Sequence, residues 1–440
     1  MVNNMTKYNF QAIYVFYEKD GIVSDDVIYY LIELKKIIKN ILVVVNGRIS
    51  PLGRSCLEKL EIEILVRQNE GLDFGAWKAG INEISWEKLK ICDGLLLCNC
   101  SCFGPIFPFK EIFDEMLSRD CDFWGINRHP EIEQYLVKND PRSKVIEHIQ
   151  SYFMFFAPRV IRSKHFKKWW DDLVEYSVYE QEVGYHETKF TKYLEDAGYK
   201  SSTYMNFDKY KKLLLQNASI QCCDIQLIED RCPLVKKRIF NMDYLSYFYI
   251  SSGQQVSRLM NYISNYTSYN IDYIWAWIIK YNKLSTIKRN LHLNYILPTK
   301  IHNTNYLSNS SVALILYIYY DDLVDYCFRY ASSMPINADI FIIVSSESVK
   351  QACINKFSAL KHNSVKYIVI QNRGRDVAAY LLGARNVFSS YDYVCCMHDK
   401  KSPSYGSGIT GFSFSEHCFQ SNLATSSYVK NILETFDKNP

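Results

Sequence analysis

The feature that most limits how this chain can fold is a repeat. "QNEGLDFGAWKAG" at 68–80 returns as "QNRGRDVAAYLLG" at 371–383. Gln68, Asn69, Gly71, Asp73, Ala76 and Gly80 recur as Gln371, Asn372, Gly374, Asp376, Ala379 and Gly383, every pair at a step of 303 residues. The flanks recur too. "YVFY" (14–17) pairs with "YIYY" (317–320) at the same step, "NILVVVN" (40–46) with "ADIFIIVSS" (338–346), "EIEILVRQ" with "VKYIVIQ", and "DGLLLCNCS" with "DYVCCMHDK". A chain of 440 residues exceeds one hydrophobic core. The expectation is therefore two related domains, 1–283 and 311–440, joined by a polar, weakly periodic linker over 284–310. The copies are unequal, because far more chain follows Asn69 than follows Asn372. The second domain reads as incomplete: either the chain is truncated at Pro440 or the missing half is not needed.

Within each copy, short continuous apolar runs alternate with helical spacing. Strands are expected at 11–17, 40–46, 61–68, 93–99, 121–127 and 151–160, and helices over "DDVIYYLIELKKIIK", "FPFKEIFDEMLSR" and "SKHFKKWWDDLVEY". Apolar strands between helices imply an α/β fold, a mainly parallel sheet with helices on both faces. Ligands bind such sheets beyond the carboxyl ends of the strands. Asn46, the 69–75 loop and Asn99 to Ser101 all lie at such ends, so one crevice should gather them.

Net charge +4 and the absence of a dense basic run argue against a nucleic-acid partner. The 14 cysteines are irregularly spaced and include adjacent pairs, which reads as reduced thiols rather than a disulfide framework. "CNCSC" (98–102) lacks the C-x-x-C spacing of structural zinc sites and reads as buried strand-end thiols. No apolar run reaches the ~20 residues that span a bilayer, so the expected location is cytoplasmic, or peripheral at the inner face of the membrane. "SYNIDYIWAWIIKYNKLSTIKR" (268–289) reads as a core helix before a membrane-surface one, and "CPLVKKR" (232–238) as solvated before phosphate-binding.

The glycines of the repeat let a loop pass close to a ligand at φ values other residues resist. Asp73 and Asp376 then stand at a helix start, where an acid either caps the helix or meets a ligand. Asn69 and Asn372 either bond a nucleobase or brace the turn. The G-x-G-x-x-G fingerprint and the Walker loop are both absent.

"RQNEGLDFGAWKAG", "DGLLLCNCSCFGPIFPFKEIFDEM", "DCDFWGINRHPE", "HIQSYFMFF", "NRGRDVAAYLLG" and "YDYVCCMHDKKS" together resemble the rhamnan synthesis protein F family, over most of 10–245 and 311–440. The resemblance implies two GT-A-like glycosyltransferase domains in tandem. It also implies a nucleotide-sugar donor, dTDP-L-rhamnose, and a lipid-linked or cell-surface polysaccharide acceptor of the lipopolysaccharide, O-antigen or capsule kind, built alongside other polysaccharide-assembly enzymes. On this reading Asn46, Arg67, Asn69, Gly71 and Asp73 contact the nucleotide, with Asn99 and Ser101 near the diphosphate. Asn372, Arg375, Asp376, His398, Asp399 and Lys400 are the second-domain candidates.

"YHETKFTKYLEDAGYK" (185–200) resembles the segment of inverting GT-A transferases in which an acidic pair precedes a helix ending "AGYK". That likeness puts Glu187 at the catalytic base and His186 where the first acid would stand. Sugar transfer needs a carboxylate to take the acceptor's proton and a positive centre for the departing diphosphate. The plainer reading of Glu187 is an exposed acid in the first turn of a helix. Mg²⁺ or Mn²⁺ is the usual GT-A cation, and Asn99, Ser101 and Asp399 are its candidate ligands. The family's strand typically ends Asn-Asp-Ser, whereas here Cys100 replaces the acid. Lys400 and Lys401 could instead neutralise a diphosphate, and His129 could face the acceptor. A counterpart of Glu187 would fall beyond Pro440. The rival expectations are a catalytically degenerate glycan- or nucleotide-binding protein, a transferase for another sugar nucleotide, and a scaffold completed by a second chain.

Overall fold

The computed structural model describes residues 8–211, 217–242, 254–291, 293, 297, 309–401 and 408–438. The chain divides into two compact units, Met1–Asn294 and Tyr295–Pro440. The division falls inside 284–310, much of which lies outside the described residues. Its first part is a helix, Leu284–Asn290, whose Ile287 and the following Leu291 are buried in the core of unit one.

Unit one is built on a seven-stranded sheet. Its centre is β1 (Phe10–Phe16), flanked by β2 (Asn40–Asn46) and β4 (Gly94–Asn99), with β3 (Glu63–Arg67) at one edge. All four run parallel. Beyond β4 lies Phe153–Phe156, then Phe123–Gly125 and Ser201–Thr203. Phe153–Phe156 runs antiparallel to both neighbours, a departure that its apolar run could not reveal. Residues of β1, β2 and β4 alternate between two cores. One face packs on α1 (Asp25–Lys35) through Tyr14, Tyr30 and Leu31, and the other on α2 (Leu72–Ile84) through Ile13, Val15 and Trp77. α2 lies close to the sheet because residue 80 is glycine: a Cβ there would meet Ile13 Cγ2 at 2.7 Å.

The single core helix expected over 268–289 is two helices, Asp272–Tyr281, with Ile274 and Ile278 buried, and Leu284–Asn290. No helix among the described residues is long and apolar enough to cross a membrane.

Unit two repeats the parallel centre in four strands, ordered Ser364–Val369, Asp339–Val344, Val312–Ile318 and Tyr393–His398. Its ladder fixes a residue-by-residue correspondence with unit one. Leu65 is in line with Val44, Val15 and Asn99; Ile368 is in line with Ile343, Tyr317 and His398. Leu65 and Ile368 run without a gap into the repeated loop, so the third strands do match at 303. The first strands match at 302 instead. The start of the ladder agrees: Asn9 N–H donates to Asp93 and Ser311 N–H to Asp392, each at 2.8 Å.

The "YVFY"/"YIYY" match is therefore displaced by one residue. A one-residue slip moves a strand's side chains to the opposite face. Tyr14 belongs to the core under α1, whereas Tyr317 belongs to the core under the repeated loop's helix. Val15 is the true partner of Tyr317, and Cys100 that of Asp399.

Candidate active site

The repeated loop has the same backbone in both units. Gly71 takes φ +65° and Leu72 φ +43°; Gly374 takes φ +90° and Arg375 φ +54°. Two successive left-handed residues turn the chain from strand to helix, and only the first of each pair is glycine. Asn46 and Arg67 brace this turn. Asn46 is buried, donates to Leu72 O at 2.9 Å and accepts from Arg67 at 3.0 Å. Arg67 also donates to Glu70 O and pairs with Glu175 at 2.6 Å. Asn69 sits half-exposed in the same loop.

Asp73 does not cap its helix. It accepts from Asn99 Nδ2 at 2.8 Å, and Asn99 Oδ1 in turn accepts from Ser101 N–H at 3.1 Å and Ser101 Oγ at 2.6 Å. This chain of three forms one wall of a cavity of about 190 Å³, whose other walls include Tyr152, Glu182 and Glu187. A second cavity of about 330 Å³ carries His129, His148 and Gln150. Glu187, Lys236, Arg238 and Tyr179 line both, so the two are lobes of one crevice.

Glu187 is half-buried, not an exposed first-turn acid. It ends a π-helical segment, Val183–Glu187, and one carboxylate oxygen accepts from Ser151 N–H at 3.0 Å. Such segments are frequent where a side chain must be aimed. His186 faces away, its Nε2 donating to Val174 O at 2.7 Å and its ring lying against Phe74. A further acid of the crevice is Glu182, five residues before Glu187 and 3% exposed. The "VKK" run is not solvated either. Lys236 is held in a two-stranded ribbon, Val235–Lys236 against Cys102–Phe103, with its ammonium 4.6 Å from the Tyr152 ring. Lys237 pairs with buried Asp26 at 2.7 Å.

The electrostatics separate the three acids. Burial raises Asp73 to about 6 against the pull of Asn99, and the charge of Glu187 adds to the rise. Burial raises Glu182 to about 8, aided by Asp73 and Glu175 and opposed by the Tyr176 N–H and Arg67. Glu182 is thus mostly protonated at neutral pH. Glu187 goes the other way: burial opposes its charge, but His148, Lys236 and the Ser151 N–H outweigh it and hold the carboxyl below its usual range. Burial lowers His148 to about 4, so near pH 7 that ring is neutral and Lys236 is the cation acting on Glu187. His148 and His129 stack at 5.1 Å, and each Nδ1 donates to a backbone carbonyl.

These residues do not fit a divalent cation. Mg²⁺ and Mn²⁺ want several hard oxygen ligands with lone pairs to give. Asn99 Oδ1 already accepts twice, and its amide holds Asp73. Asp399 is buried, and its carboxylate accepts from Tyr319 N–H at 3.0 Å and Tyr320 N–H at 2.7 Å. Cys100, its partner in unit one, accepts from Tyr17 N–H at 3.5 Å, the same contact with a thiol in place of a carboxylate. Among the described residues no group of three or more His, Cys, Asp or Glu stands placed to hold a metal.

All six second-domain candidates line one cavity of about 570 Å³ in unit two. Asn372 accepts from Tyr317 OH at 3.2 Å, and His398 Nε2 lies 3.8 Å from Asp376. Lys401 pairs with Asp322.

A profile of the rhamnan synthesis protein F family matches residues 41–440. The chain belongs to that family. Membership places the chain among proteins of rhamnan synthesis, that is, of polysaccharide synthesis. No curated protein matches the chain. Among solved structures, the glycosyltransferase GlyE of Streptococcus pneumoniae TIGR4 is similar at 9% identity, TM-score 0.26, covering 97% of this chain and 99% of that one. HddC of Yersinia pseudotuberculosis is similar at 11% identity, TM-score 0.23, over 36% of this chain and 81% of that one. The glucosyl-3-phosphoglycerate synthase of Mycobacterium tuberculosis is similar at 8% and TM-score 0.23, over 34% and 57%. At those scores the three carry no argument about this family member's chemistry.

Proposed function

We propose that the chain is an inverting glycosyltransferase that adds L-rhamnose from dTDP-L-rhamnose to a bacterial surface polysaccharide or its lipid-linked precursor, with the chemistry in unit one. The observation that carries the proposal is the position of Glu187, an ionised carboxylate on the wall shared by two lobes of one crevice. The smaller lobe, beside Asp73, Asn99 and Ser101, takes the donor's sugar and diphosphate. The larger lobe, beside His129, His148 and Gln150, takes the acceptor. Glu187 accepts the proton of the attacking hydroxyl, whose oxygen bonds the anomeric carbon from the face opposite the diphosphate. The bond from that carbon to the diphosphate breaks, and its electron pair leaves with dTDP. Lys236 and Arg238 stand beside Glu187 to meet that charge.

Glu187→Gln tests the base. Transfer should fall about 10²–10⁴-fold while dTDP-L-rhamnose binding, read by calorimetry, holds. A variant that transfers at the native rate removes Glu187 from the mechanism. Titration with dTDP, UDP and GDP sugars, each with and without Mg²⁺ or Mn²⁺, tests the donor. Thymidine-selective binding that needs no metal is expected. Silence with every nucleotide would favour the degenerate, glycan-binding reading.

A further inference from the structure

We propose that the cavity of unit two is a diphosphate-binding site in its own right. The ladder register supplies the comparison. Leu72 of unit one corresponds to Arg375, Asn99 to His398 and Ser101 to Lys400. Three neutral residues around the crevice of unit one are thus replaced, at matched positions, by two permanent cations and a histidine. All three line the same cavity of about 570 Å³.

The cavity's carboxylates are engaged elsewhere. Asp399 is turned onto the Tyr319 and Tyr320 N–H groups, and Asp376 stands against His398. Lys401 is matched by Asp322. Among the described residues neither Arg375 nor Lys400 forms an ion pair, so both stand at the cavity without a carboxylate partner, with the Lys400 ammonium 4.9 Å from the Phe414 ring. Arg375 also holds φ +54°, a conformation that asparagine or glycine would take more easily. A guanidinium kept there matches a fork of phosphate oxygens. In unit one the cations come from Lys236 and Arg238, outside the repeated core; in unit two they sit on the core itself. A nucleoside diphosphate and a prenyl-lipid diphosphate share this chemistry.

The proposal does not depend on the transferase reading of unit one. The test is calorimetric titration of the full chain with inorganic pyrophosphate, dTDP and farnesyl diphosphate. Arg375→Leu with Lys400→Ser gives unit two the residues that unit one carries at those positions, so the fold has precedent for both. Arg375→Gly is a second variant, suited to the positive φ. Pyrophosphate should bind at least about tenfold more weakly to the double variant, with an unchanged melting temperature, while Arg238→Ala leaves this binding intact. In the native chain, dTDP binding this site more tightly than pyrophosphate would identify a nucleotide, and tighter farnesyl diphosphate a lipid carrier; both uphold the site. Pyrophosphate affinity unchanged in the double variant, or lost only in Arg238→Ala, would overturn it. Should unit two bind while Arg238→Ala and Glu187→Gln alter neither binding nor transfer, the transferase reading of unit one would fail alone.

Discussion

At the scale of single residues, the crevice of unit one is a problem of three acids and one buried amine. Lys236 acts on Glu187 through space in a region that excludes water, where charges interact more strongly than on the surface. Lys236→Met should therefore raise the Glu187 carboxyl, and the acid limb of kcat/KM should move to higher pH as its rate falls. A limb that stays in place would mean that His148 and the Ser151 N–H set the base without Lys236. Glu182 makes a separate prediction. Its carboxyl is raised to about 8 in the fold, so the folded state holds a proton that the unfolded chain releases near the ordinary glutamate value. Glu182 thus contributes stability below about pH 4.5 that is lost as pH rises towards 8. Glu182→Gln has no proton to lose, so its melting temperature should decline less between pH 5 and pH 8. Parallel curves for the two proteins would contradict the assigned ionisation.

At the scale of elements, the helix after the repeated loop is held against the sheet by a glycine. Gly80→Ala would drive a methyl into Ile13 Cγ2 and Val44 Cγ2, atoms on stiff β-branched side chains. It should destabilise unit one by about 1–3 kcal/mol. Gly383→Ala meets Ile343 Cδ1 at 3.1 Å, the mobile end of its side chain, and should cost less. Denaturant unfolding of both variants checks the order. The same elements show what the sequence could reveal. β2 and β4 are legible because "ILVVV" and "LLLC" bury both faces and need no alternation. For that reason their register is illegible: a strand apolar on both sides gives no sign of which face a residue takes, and two tyrosines suggested a step of 303 where the ladder sets 302. The loop was legible through Gly71 and Asp73, although Asn46 and Arg67 proved to brace it. Lys236 was hidden, because a Lys-Lys-Arg run resembles surface until a two-residue ribbon carries it beneath Tyr152. Glu182 was hidden too, placed by a short helical turn ahead of the π-helical segment that no motif marks.

At the scale of the molecule, two units keep one core and one loop but obtain their charge differently. Glu187, Lys236 and Arg238 reach the crevice of unit one from chain that follows the shared strands, so the core there could remain neutral. In unit two the matched core positions themselves became cationic. The core also sets the chemistry of the cysteines. All 14 are free, and eight of them are buried. Burial pushes thiols such as Cys102, to about 11, away from the reactive thiolate. Cys98 in β4, Cys100 just after it and Cys102 in the ribbon with Val235–Lys236 stay unpaired, and Cys100 uses its sulfur to hold the Tyr17 N–H. A fold so arranged needs no disulfide for stability, and a bridge at the end of β4 would displace that contact. The native chain should therefore show the same melting temperature with and without a reductant. A thiol reagent should label only the partly exposed cysteines at a useful rate, and all 14 once denaturant is added. Fewer than 14 in denaturant, or a melting temperature lowered by reductant, would reveal a disulfide and contradict the assignment of free thiols throughout.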